Sequence, residues 1–117
     1  DFGNLTDARD NVMGSSSSTR AVMGGGRDPS NTNIIDYITI ASTGDATDFG
    51  DLTAADYFYT ATGNSIRALW IGNSTISNSM EFVTIATQGN AVDWGDQNGD
   101  PNHSAGACSD SHGGLNL

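Results

Sequence analysis

The chain of 117 residues has room for one domain of ordinary size, and its hydrophobic fraction of 36%, against a usual value of roughly 45–50%, leaves a composition rich in Ser, Thr, Asn and Gly. Fourteen acidic residues against four basic ones, all of them Arg, give a net charge of −10, which removes the attraction that a phosphate backbone or an anionic membrane surface would need. Nucleic acid is thereby not expected as a direct partner, and no apolar run approaches the roughly 18 residues of a membrane-spanning helix, so membrane insertion through such a helix is not expected either.

The predicted elements, taken in chain order, repeat. Asp1-Phe2-Gly3-Asn4-Leu5-Thr6 returns 47 residues later as Asp48-Phe49-Gly50-Asp51-Leu52-Thr53, and after a further 45 as Asp93-Trp94-Gly95-Asp96. Ser15 to Ser18 lies in register with the repeat and reads as a polar strand or turn. Next comes a short strand, Thr19 to Met23, ended by Gly24-Gly25-Gly26, with its copy at Ile66 to Ile71 ended by Gly72-Asn73. Residues 27–32, rich in Asp, Pro, Ser and Asn, read as a loop tip that absorbs the change of offset from 47 to 45. Ile34 to Ala41 is the strongest strand signal and stops at Ser42-Thr43-Gly44-Asp45; Met80 to Thr87 copies it and stops at Gln88-Gly89-Asn90. Ala46 to Leu52 follows with Phe49 as its large apolar side chain, and then the aromatic segment Tyr57-Phe58-Tyr59-Thr60. Helix has little support beyond Ala54-Ala55-Asp56. The reading is all-β: one repeat domain over 1–117, with units 1–47, 48–92 and a partial 93–117, each unit supplying four short antiparallel strands. Asp1-Phe2-Gly3 reads as mid-repeat sequence, as in a fragment or a processed chain, and isolated units would leave edge strands and apolar faces exposed, so a longer parent chain or symmetric assembly is expected.

Several residue groups invite a chemical reading, and each meets a structural one. Asp96, Asn98 and Asp100 alternate oxygen ligands as a calcium loop does, but Pro101 stands where such a loop needs Gly and Ala107 where it needs Glu, so a solvated turn is the better account. Asp45, Asp48 and Asp51, partly matched by Asp93 and Asp96, would be a carboxylate set for acid–base work. A catalytic pair is needed once, however, and an Asp that recurs beside Phe49 or Trp94 is expected to close a turn on its own backbone. His103, Cys108 and His112 match no zinc spacing, and the single cysteine leaves no intrachain disulfide. Tyr57, Tyr59 and Trp70 have the ring faces that stack on sugars, against the competing expectation that they fill the space between repeated sheets. No cofactor is expected, calcium being the one candidate.

These units resemble the kelch-like repeats of structural proteins of tailed phages, especially phages of marine cyanobacteria. The resemblance rests on Arg20-Ala21-Val22-Met23-Gly24-Gly25-Gly26 and on the run from Asn33 to Thr53, and it extends to the tail from Ala107 to Leu115 as a variant of Gly63 to Trp70. Gly25, Tyr37 and Phe49, then Gly72, Phe82 and Trp94, follow the order of glycine, aromatic and second aromatic in that repeat, with a longer interval between the aromatics. The resemblance implies blades of a β-propeller, incomplete at about two and a half repeats unless other chains or a longer parent complete it. It implies a non-enzymatic virion tail or fibre component that presents loops for host attachment, partnered by copies of itself, other virion proteins or a host-surface glycan. The alternative is a secreted, extracellular bacterial module that binds glycan with calcium support.

Overall fold

Two antiparallel meanders of four strands each make up the computed structural model, which describes residues 1–57, 59–72, 78–98 and 106–109. The first sheet consists of β1 (Met13–Ser16), β2 (Arg20–Gly24), β3 (Ile34–Thr39) and β4 (Thr47–Asp51), paired in that order. The second consists of β5 (Thr60–Gly63), β6 (Arg67–Ile71), β7 (Ser79–Thr84) and β8 (Val92–Asp96), again in order. Among the described residues there is no helix. The fold is therefore all-β, with two blade-like sheets arranged as part of a propeller.

The turns have the same chemistry in both blades. Between β1 and β2 the Ser17 hydroxyl accepts from the N–H groups of Thr19 and Arg20, and at the equivalent place Asn64 Oδ1 accepts from Ile66 and Arg67. A side-chain oxygen that closes such a turn explains the serine tract and its Asn-Ser copy. Gly25 and Gly72, just past β2 and β6, have φ of 69° and 67°, which a glycine adopts without strain.

The Asp-Phe-Gly and Asp-Trp-Gly segments are β-bulges. Ile35 pairs with Gly50 and Asp36 with Asp48, so Phe49 is the extra residue; Met80 with Gly95 and Glu81 with Asp93 leave Trp94 in the same position. In each, the aspartate closes the kink by accepting its glycine's N–H, Asp48 from Gly50 at 3.1 Å and Asp93 from Gly95 at 2.9 Å. The recurring aspartates thus do what repetition predicts. The bulge turns the aromatic onto the ring that precedes it: Phe49 meets Tyr37 edge to face at 5.8 Å, and Trp94 meets Phe82 at 5.1 Å.

Two boundaries differ from expectation. Of the aromatic segment read at Tyr57 to Thr60, β5 takes only Thr60, and Tyr59 is drawn into the core with its hydroxyl donating to Ala54 O. The sheets also run over 13–51 and 60–96, so the Asp-Phe-Gly strand that opens a sequence unit closes the sheet before it.

Side chains alternate across each sheet. One side of the first blade, its front, carries Val22, Ile35, Tyr37 and Phe49, and a Cβ on Gly24 there would stand 3.1 Å from the Trp70 ring. The facing side of the second blade, its back, carries Ala68, Trp70, Val83 and Ile85. The core lies between this front and this back, sealed by Leu52 and Tyr59 from the connection between the blades. Packing is front to back, so the two contacting surfaces are different.

Candidate functional site

The junction between repeats is the candidate site, and it occurs twice. Residues 48–53 run along the outer edge of the first sheet and are received by a loop of the second unit. Gly89 donates to Phe49 O at 2.9 Å, Ala91 to Asp51 O at 2.7 Å, Asp51 N to Asn90 Oδ1 at 3.1 Å, and Thr53 N to Glu81 Oε2 at 2.6 Å. Residues 1–6 lie in the same way on the first unit. Gly44 donates to Phe2 O and Ala46 to Asn4 O, both at 2.8 Å, while Asn4 N donates to Asp45 Oδ1 at 2.9 Å and Thr6 N to Asp36 Oδ2 at 3.2 Å. These four bonds of one junction correspond one for one with the four of the other. Each junction also satisfies an edge that would otherwise be open to unwanted strand pairing.

The central glycine of the received segment is required twice over. Gly3 and Gly50 have φ of 153° and 147°, and a Cβ on either would run into the carbonyl of Gly44 or Gly89. The residue after it meets a polar side chain of the socket: Asn4 donates through N and Nδ2 to Asp45 Oδ1, and the Asp51 N–H donates to Asn90 Oδ1. One member of each pair is an amide, so two carboxylates never face each other.

A buried carboxylate lies at the floor of each socket. Asp36 is fully buried, takes the Thr6 hydroxyl at 2.6 Å and pairs with the equally buried Arg9 at 3.0 Å. Arg9 in turn donates through Nε to Gly25 O at 2.9 Å. Glu81 holds the same place in the second unit, where the residue equivalent to Arg9 is Asp56, also buried. The Arg9–Asp36 pair is not visible in the sequence, since only one of the two positions repeats its chemistry.

Arg20 fastens the two blades from the front. Its guanidinium lies 4.6 Å over the Tyr37 ring and donates to the carbonyls of Ile85 and Ala86 at 3.2 and 3.0 Å. Arg67, its counterpart, rests on the rings of Phe82 and Trp94 at 4.8 and 5.1 Å. The recurrence of Arg20 and Arg67 is plain in the sequence; their stacking on the recurring aromatics emerges only from the fold.

The residues singled out for ligand binding fall into separate places. Trp70 and Tyr59 are core residues, with Trp70 Nε1 donating to Met13 O at 3.0 Å, so neither offers a ring face to a sugar in this arrangement. Tyr57 is half-buried beneath Arg27, whose guanidinium is 4.5 Å from its ring. Asp96 and Asn98 are exposed at the end of β8, and Asp100, like His103 and His112, lies outside the described residues. Among the described residues no three His, Cys, Asp or Glu side chains are grouped as a metal would need, and Cys108 is exposed. No protein-family model and no curated protein matches this chain.

Proposed function

We propose that this chain is a non-enzymatic structural and adhesion component, a β-repeat of a virion tail or fibre that builds an array and presents its hairpin loops toward a host surface. The observation that carries the non-enzymatic part is the recurrence of the junction. The buried carboxylates best placed for chemistry, Asp36 and Glu81, each accept a backbone N–H of the received segment, a contact that occurs twice where catalysis would need it once, and Arg9 is engaged by Asp36 and by Gly25 O. A polar network used for fit between units is the signature of a repeat array. The virion setting and the host-attachment role come from the resemblance to kelch-like phage repeats. Its partners are copies of the unit, other virion proteins and a host-surface polysaccharide.

Immunogold labelling of purified phage tails with an antibody against this chain tests the reading, and intact tails that stay unlabelled would sink it. The competing reading, a secreted bacterial glycan-binding module, rests on the exposed aromatic Trp94 beside Arg67. It predicts glycan-array binding lost in Trp94→Ala, with unlabelled tails. Calcium has no part in the leading reading, so the thermal midpoint is expected to stay in place on chelation.

A further inference from the structure

We propose that the front of the second blade docks onto the back of the first blade of another copy, with the neighbour's residues 93–98 replacing residues 1–6 in the socket formed by Thr43–Ala46 and Asp36. This deepens the array reading by naming the partner surface, and it does not depend on a virion setting.

The argument is one of equivalence between covered and uncovered surfaces. The front of the first blade is covered, and Phe49 is 3% exposed; its counterpart on the second blade, Trp94, is 53% exposed. The back of the second blade is covered, and Ile85 is 1% exposed; its counterpart on the first blade, Ile40, is 44% exposed. The two surfaces left largely open are therefore the same front and back that already fit together within the chain, with Cys108 and Ser109 lying against the front beside Arg67, Phe82 and Trp94, where a docking copy must displace them. Arg67 stands where Arg20 reaches across the junction, so on a second copy it meets the carbonyls of Ile40 and Ala41.

Gly95 makes the same point. It has the positive φ of its counterparts, 136°, yet among the described residues nothing lies within 4 Å of where its Cβ would stand. Its backbone has the shape of a received segment without a socket around it. Residues 1–6 fill the socket that such a segment would enter, so they act as a cap that a neighbour must displace. Contacts between unlike faces give rings or filaments according to the rotation between copies.

Charge weakens this contact in the native chain. Asp96 would meet Asp45, where the two existing junctions pair a carboxylate with an amide, and each copy carries a net charge of −10.

The test uses the full 117-residue chain and sedimentation equilibrium at moderate and high salt. Wild type is expected near its monomer mass of 12.1 kDa. Gly3→Val, which ejects the cap, is expected to raise the weight-average mass with concentration to about twofold or beyond, more strongly as salt rises. Asp45→Asn added to it should tighten association by roughly two- to fivefold, the size of one relieved exposed charge pair. Gly95→Val added to Gly3→Val should return the chain to a monomer, and a synthetic peptide of residues 1–7 should do the same by refilling the socket.

Asn4→Pro opens the socket by deleting the N–H donated to Asp45, and serves where Gly3→Val fails to fold. The proposal is overturned by a folded, capless variant that stays monomeric, or by assembly that persists with Gly95→Val or in excess peptide. An assembly of that kind would use another surface, and a persistent monomer would mean that β8 takes only a following unit with an Asn-bearing loop.

Discussion

The two blades share their strands, their turns and their bulges, yet they bury those shared residues differently. Phe49 is packed out of solvent while Trp94 stands in it, and Ile85 is covered while Ile40 is open. Local sequence cannot account for the contrast, because the positions are equivalent. The difference lies in what each face meets, so the core of a unit is completed by its neighbour, as in other one-dimensional repeat architectures.

Substitutions on covered and uncovered faces break the comparison most directly, with stability read from urea unfolding. Asp36→Ala should be among the most damaging, at about 3–5 kcal/mol, because it leaves Arg9 buried without its partner. Trp70→Ala should cost a similar amount, about 3–5 kcal/mol, for emptying the space between the blades. Trp94→Ala should cost only about 1 kcal/mol, since half of that ring is already in water. Near-equal losses at Trp70 and Trp94 would mean that the face of the second blade is covered after all.

Smaller effects sharpen the same contrast. Gly50→Ala should cost about 2–4 kcal/mol through collision with Gly89 and an unfavourable φ, whereas Gly95→Ala should cost about 1–2 kcal/mol through φ alone. Arg20→Ala should lose about 1–2 kcal/mol of junction bonding, and Arg67→Ala about 0.5 kcal/mol. Asp48→Ala and Asp93→Ala should cost the same, about 0.5–1 kcal/mol each, because the turn that each closes lies within a blade.

Much of the blade is legible in the sequence because it depends on local pattern. The β-branched run from Ile34 places β3, the Gly-Gly and Gly-Asn stops place the ends of β2 and β6, and the recurrence of Asp beside an aromatic and glycine marks a closed turn. Its identity as a bulge is less visible, since a bulge is a mismatch between two strands and one strand alone does not carry it. The start of β5 also lies beyond local reading, because Tyr59 is claimed by packing against the other blade and not by its own strand. The junction lies further off still. Its donors and acceptors are about 40 residues apart, and Asn4–Asp45 against Asp51–Asn90 exchanges the two residue types, which hides the correspondence from any search for identical residues. Trp70 reads as a candidate sugar platform in the sequence because an aromatic for a core and an aromatic for a ligand look alike until the neighbouring sheet is in place.

The loops that receive each segment, around Gly44 and Gly89, do so largely through main-chain N–H groups. Recognition written in the main chain is indifferent to most side-chain drift. Successive units can therefore diverge at most exposed positions and still join, provided that the receiving loop keeps its length, the incoming strand keeps its glycine and the pair beside that glycine avoids two facing carboxylates. The 27–32 tip receives no such segment, and it is where the two intervals of the chain already differ. A lineage of such proteins would be expected to vary in its tips and in its number of units long before it varied in the way the units join.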